Sequence, residues 1–275
     1  MKIFDLEEEI CFEIKILLRV LKSLDGLSQI PILNSLFLCG ISEEMINNIV
    51  GAFLCYIDLT KPNPSIDFLV NSIFPHIFPS LISYKKDLLI VIGGKEQIEC
   101  EYYFISEKRW KALPDLKEDR YKGTLVSDEK NNIIYLFGGY SQLNNCNMEI
   151  ILKLNMIKME KWEELHLKNN EYLLARNFSV GVKFEKSNKI YIFGGFNNDF
   201  KETDYIVEYD IKDNTVCKYG ENMKKLCSFS MQGFSDLNKK HFAFFDNNNY
   251  IHTVTENDFR INLILFDGSP KDKSL

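Results

Sequence analysis

The chain has 275 residues, 45% of them hydrophobic and 26% charged, a balance that belongs to a folded protein with a full core and allows one large all-β domain or two ordinary ones. Its 39 acidic against 33 basic residues give a formal charge of -6, and basic residues cluster only in pairs such as Lys224-Lys225 and Lys239-Lys240. It therefore lacks the basic footprint that holds nucleic-acid phosphates, and no nucleic-acid partner is expected. The amino terminus carries Glu7, Glu8 and Glu9 where a signal peptide carries bases, and no later run offers enough consecutive apolar residues to cross a membrane as a helix. Seven cysteines, Cys11, Cys39, Cys55, Cys100, Cys146, Cys217 and Cys227, are scattered without a C-x-x-C spacing. That pattern suits reduced, mostly buried thiols and a cytoplasmic location, with no membrane partner.

Taken in chain order, residues 1–30 open with Ile10, Phe12, Ile14, Ile16, Leu18 and Val20 on alternate positions, the period of a strand. Leu17, Leu18, Leu21 and Leu24 also fit a helical stripe, so a strand and a short helix both stand. The apolar run Leu36-Phe37-Leu38-Cys39-Gly40 comes next, followed by Phe53-Leu54-Cys55-Tyr56-Ile57-Asp58. Three runs then end alike: Leu88-Leu89-Ile90-Val91-Ile92-Gly93-Gly94, Ile133-Ile134-Tyr135-Leu136-Phe137-Gly138-Gly139 and Ile190-Tyr191-Ile192-Phe193-Gly194-Gly195. Each reads as a strand buried on both faces. After the first lie a polar loop, Tyr102-Tyr103-Phe104-Ile105 and Trp110; after the second, Ile150-Ile151-Leu152 and Trp162; after the third, Tyr205 to Asp210, with Val216 where a tryptophan is expected. Arg120-Tyr121 and Ala175-Arg176-Asn177-Phe178-Ser179 each precede the next glycine pair by about 17 residues, and such a segment can supply a fourth strand. Downstream, Phe242-Ala243-Phe244-Phe245-Asp246 lies where another copy should end, with residues 261–267 as its next strand. Strand ends at 40, 94, 139, 195 and 246 recur at intervals of 54, 45, 56 and 51 residues, the mark of a repeat architecture.

These residues resemble the kelch repeats, whose pattern is an arginine, an apolar strand ending in Gly-Gly, a Tyr-Asp and, about six residues on, a Trp. The matches are Gly93-Gly94, Tyr103 and Trp110 in one unit, Arg120, Gly138-Gly139 and Trp162 in the next, and Arg176, Gly194-Gly195 and Tyr209-Asp210 in the third. The resemblance implies an all-β fold, a kelch-type β-propeller of about five four-stranded blades, with six as the alternative, over residues 31–275. Within it Tyr103, Trp110, Trp162 and Tyr209 are expected to pack blade on blade, and Arg120 and Arg176 to brace loops. The carboxyl-terminal blade reads as short of one strand, and residues 1–30, as a strand, would close the ring by supplying it.

The sequence offers no catalytic constellation. Four dispersed histidines, His76, His166, His241 and His252, propose no metal site, and there is no G-x-S-x-G, Walker or dinucleotide motif; no cofactor is expected. The resemblance places partner binding on the loops behind the glycine pairs: Lys95, Glu96 and Gln97; Tyr140, Ser141 and Gln142 with Asn144 and Asn145; and Phe196, Asn197, Asn198 and Asp199. Amides beside an aromatic anchor suit a protein partner. The expectation is thus a stand-alone, non-enzymatic scaffold or adaptor; the alternative is a small-ligand binder or a metal-free isomerase or lyase using the axial pocket.

Overall fold

The computed structural model of the chain describes residues 69–219 apart from 170 and 204, together with strands at 27–32, 35–41, 52–58, 66–68, 234–235, 241–245, 250–255 and 264–265. The choice between strand and helix in the amino-terminal segment falls on residues 1–26, outside the described residues. The fold is all-β: among the described residues the only helical element is a 3-10 turn at Glu171–Leu174.

Among the described residues, five four-stranded antiparallel sheets follow one another in chain order. The first contains β1 (Leu27–Ile32), β2 (Ser35–Ile41), β3 (Ala52–Asp58) and β4 (Ile66–Phe68). The second contains β5 (Ser80–Tyr84), β6 (Leu88–Gly94), β7 (Gln97–Phe104) and β8 (Arg109–Leu113). The third is built from β9 (Thr124–Asp128), β10 (Ile133–Phe137), β13 (Ile151–Asn155) and β14 (Glu163–Leu165), and a small ribbon, β11 (Tyr140–Ser141) with β12 (Cys146–Asn147), rises between its middle strands. The fourth has β15 (Val180–Val182), β16 (Lys189–Phe193), β17 (Ile206–Asp210) and β18 (Thr215–Tyr219), and the fifth β19 (Phe234–Ser235), β20 (His241–Phe245), β21 (Tyr250–Thr255) and β22 (Ile264–Leu265). In every sheet the strands pair in sequence order, as short connections favour. The first strands of neighbouring sheets touch in turn, β1 with β5, β5 with β9 and β9 with β15.

The second strand of a sheet lies between two paired strands and under neighbouring sheets, so it has no solvent face. Leu89, Ile90, Val91 and Ile92 are fully buried, which is why the run lacks the alternation of a half-exposed strand. Register then aligns the anchors: Leu89 opposes Tyr103 and Tyr103 opposes Trp110, while Ile190 opposes Tyr209 and Tyr209 opposes Val216. The tryptophans join sheets. Trp110 Nε1 donates to the Val70 carbonyl at 2.9 Å, just past β4, and Trp162 Nε1 to the Pro114 carbonyl at 2.9 Å, just past β8.

The double glycines are where one sheet meets the chain entering the next. Gly94 N–H donates to the Arg120 carbonyl at 3.1 Å, and Gly139 N–H to the Arg176 carbonyl at 2.8 Å. Gly93 and Gly138 sit at φ of 56° and 55°, and a Cβ on Gly93 would stand 2.6 Å from the Arg120 carbonyl oxygen while one on Gly138 would run into that of Arg176. Only glycine permits both the left-handed turn and this approach.

Two expectations change. The strand after β20 is β21 at Tyr250–Thr255, and Ile264–Leu265 is the outer strand rather than the next one. Tyr250, Ile251 and Val254 suit a strand, and only the four residues 246–249, three of them asparagines, separate it from β20. The fifth sheet consequently has four strands drawn from residues 234–265, so the reading that it lacks a strand for the amino terminus to supply is corrected.

Candidate binding face

In an antiparallel four-stranded sheet, the turn between the second and third strands and the connection to the next sheet lie at one end. That end collects every loop behind a glycine pair. The first is shorter than the sequence reading implied: Gly94 pairs with Gln97 across Lys95 and Glu96 alone, and Gln97 opens β7, where its Oε1 accepts the Ile77 N–H at 3.1 Å. The second is the β11–β12 ribbon. Tyr140 and Ser141 are buried in its base, whereas Gln142, Asn144 and Asn145 are exposed at its tip, and Tyr140 Oη donates to Asn145 Oδ1 at 2.5 Å. In the third, Phe196 and Asn197 are half-buried and Asn198 and Asp199 exposed; Asn197 Oδ1 accepts the Asp199 and Lys201 amides, each at 3.0 Å.

Two buried polar residues wire the three loops together. The Asp119 carboxylate accepts Glu96 N–H at 3.3 Å, Ser141 Oγ–H at 2.5 Å and Gln142 N–H at 2.8 Å. Asn147 N–H donates to Asn198 Oδ1 at 2.7 Å, and Asn147 Nδ2 to the Phe196 carbonyl at 3.2 Å. Backbone bridges between Tyr121 and Tyr140 and between Asn177 and Phe196 carry the same continuity from sheet to sheet. The loops therefore form one preorganised surface, which lowers the ordering cost of binding.

The arginines hold this surface from below. Arg176 is buried and donates to the Leu173 carbonyl through Nε at 3.1 Å and Nη2 at 2.8 Å, and through Nη1 to the Gly194 carbonyl at 3.0 Å and Thr203 Oγ1 at 3.2 Å. Burial pushes its guanidinium down to about 10. Arg120 Nη1 donates to the Ile150 carbonyl at 3.1 Å. The equivalent place in the second sheet is held by His76, fully buried, with Nδ1 2.7 Å from the Gly93 carbonyl and Nε2 3.0 Å from Glu101 Oε1.

Two residues beyond each of these three lies a position the sequence reading passed over. Phe78, Lys122 and Phe178 have φ of 53°, 50° and 53°, a left-handed conformation that costs a non-glycine residue and gathers at functional sites. Their backbones are linked, Phe178 N–H to Lys122 C=O at 3.0 Å and Lys122 N–H to Phe78 C=O at 3.2 Å. Lys122 Nζ lies over both rings, 5.2 Å from the centroid of Phe78 and 5.7 Å from that of Phe178. Further rings continue outward: Phe78 meets Tyr121, Tyr121 meets Tyr140, Tyr140 meets Phe200, and Phe178 meets Phe196. The available signal was positional, since residues 122 and 178 each stand two places past a matched arginine.

Exposed apolar side chains favour the same end. Val70 and Ile73 lie on the connection from β4 to β5, Tyr172 on that from β14 to β15, Leu143 at the ribbon tip, 74% exposed, and Phe200 in the third loop, 69% exposed. Among the described residues Ile157, in the turn between β13 and β14, is the large exposed apolar side chain at the opposite end. Such clustering marks an interaction surface. Among the described residues no three His, Cys, Asp or Glu side chains are grouped to hold a metal ion, and no helix is long and apolar enough to cross a membrane. No protein-family model matches the chain, and no curated protein matches it.

Proposed function

We propose that the chain is a non-enzymatic protein-binding scaffold or adaptor, a kelch-type β-propeller of about five blades that presents its glycine-loop face to a protein partner in the cytoplasm. The observation that carries this reading is the joining of all three loops, through Asp119 and Asn147, into one surface from which Leu143 and Phe200 project. A rigid platform with exposed apolar anchors and an amide-rich rim suits a protein interface. The propeller reading is supported by the shared strand order of the sheets and the successive contacts of their first strands.

The test is capture of partners from the native host's extract with immobilised wild type, with Leu143→Asp/Phe200→Asp, and with Ile157→Asp at the opposite end. The loop-face pair should lose the partner while melting as the wild type does, and Ile157→Asp should keep it. Equal recovery by all three would overturn the reading. A small-ligand binder or metal-free isomerase or lyase would then lead, favoured by one observation: Lys122 held between two rings beside the first strands.

A further inference from the structure

Resting on the loop-face reading, we propose that the surface shared by the ribbon tip and the third loop takes a basic segment of the protein partner, an arginine or lysine flanked by apolar side chains. The apolar side chains meet Leu143 and Phe200, and the cation meets the carboxylates around them. The two loops act as one seat because they are joined: Asn147 N–H donates to Asn198 Oδ1 at 2.7 Å, and the Tyr140 ring packs on that of Phe200 with centroids 6.1 Å apart. Leu143 and Phe200 are exposed on either side of this joint. Large apolar side chains gathered on a rim of amides mark a docking surface.

Charge selects the occupant. Glu96 on the neighbouring first loop, Glu149 behind the ribbon and Glu202 in the third loop are exposed, and none of their carboxylates has an ion-pair partner among the described residues. The cations beside them offset little: Lys201 faces Asp199 at 3.8 Å, Arg120 and Arg176 are buried against carbonyls, and Lys122 lies over the Phe78 and Phe178 rings, which leaves Lys95 next to Glu96. The chain as a whole carries a charge of -6, so its field draws a cation to this face and repels an anion. The floor adds a second, independent demand. Oδ1 of Asn147 and Oδ1 of Asn177 are buried acceptors with no hydrogen-bond partner, in residues only 3% and 5% exposed. The two residues meet at the Phe196 carbonyl, which accepts Asn147 Nδ2–H at 3.2 Å and Asn177 N–H at 3.1 Å, so both unmet oxygens lie under the third loop. An unmet buried acceptor is costly. An ammonium or guanidinium brings only donors, so it answers the acceptors and the carboxylates together, and the Phe200 ring gives it a π face. An acidic or wholly apolar segment answers neither.

The experiment titrates the full chain by calorimetry with acetyl-Leu-Arg-Phe-Arg-Leu-amide and with its lysine, citrulline and glutamate counterparts. The arginine and lysine peptides should bind. The citrulline peptide, which keeps the shape and loses the charge, and the glutamate peptide should not. Affinity for the arginine peptide should fall about tenfold between about 50 mM and about 300 mM salt, as exposed charges are screened. Glu96→Gln/Glu149→Gln/Glu202→Gln should weaken it about tenfold while melting as the wild type does, since the three carboxylates stand on the surface. Asn177→Ala, which keeps both main-chain bonds to Phe196, should weaken it about threefold and leave the salt dependence intact. Failure of every peptide to bind, equal binding of the arginine and citrulline peptides, or wild-type affinity in either variant would each overturn the proposal. Partner capture lost in Leu143→Asp/Phe200→Asp yet unchanged in the glutamine variant would leave the loop-face reading standing and remove the basic segment alone.

Discussion

Arg176 directs its polar reach inward, where its guanidinium donates to the Leu173 and Gly194 carbonyls and to the Thr203 hydroxyl. Arg176→Ala should therefore cost about 3 kcal/mol, the penalty for leaving buried acceptors unmet, read as a lowered midpoint in urea unfolding. Arg176→Lys should recover little, since one ammonium cannot span the Leu173 and Gly194 carbonyls as the fork does. The arginine's bracing role follows from its place in the repeat. His76 was opaque for the opposite reason: a histidine at that place breaks the pattern, and only the fold shows it taking on the same task by meeting the Gly93 carbonyl as Arg176 meets that of Gly194. Tyr140 shows the limit of reading an aromatic behind a glycine pair as a contact residue. Its ring is sealed between Tyr121 and Phe200, and the exposed anchor is Phe200, five residues past Gly195, where no motif points.

At the scale of elements, the strands were legible because burial on both faces writes itself as an unbroken apolar run. The joints between sheets were less so. Val216 read as the loss of an anchoring tryptophan, yet the fourth sheet is tied to the third all the same: Asn169 Oδ1 accepts the Val216 N–H at 3.0 Å and Asn169 Nδ2 donates to the Val216 carbonyl at 3.0 Å. A side-chain amide on the preceding connection replaces an indole on the strand itself, a trade that spacing cannot reveal because the two partners lie 47 residues apart. Asn169→Ala should cost about 1 kcal/mol, since the pair is partly solvated, and should speed hydrogen exchange at the Val216 amide while leaving that of Tyr103 unchanged. Short strands were equally hard to see: Phe234–Ser235 and Ile264–Leu265 are two residues each, too brief for any period to register.

For the molecule as a whole, repeat spacing anticipated five strand ends and the described residues form five four-stranded sheets, although the reading of how the last one is completed did not survive. The apolar face of the fourth sheet, with Val180, Val182, Phe184, Phe193 and Ile206, is joined by Val254 of β21. A chain ending after Tyr219 should therefore expose that face and self-associate, seen as a shift to large species in light scattering against a monodisperse full-length control; a monodisperse truncated chain would show that the fifth sheet adds no cover. The left-handed triad carries a consequence of another kind. Its backbone is joined by hydrogen bonds between main-chain atoms, so exchanging the side chains at 78, 122 and 178 leaves those bonds in place. A library varied at these three places alone, with the glycines, arginines and Asp119 untouched, would turn the protein into a programmable receptor whose specificity is edited independently of its architecture.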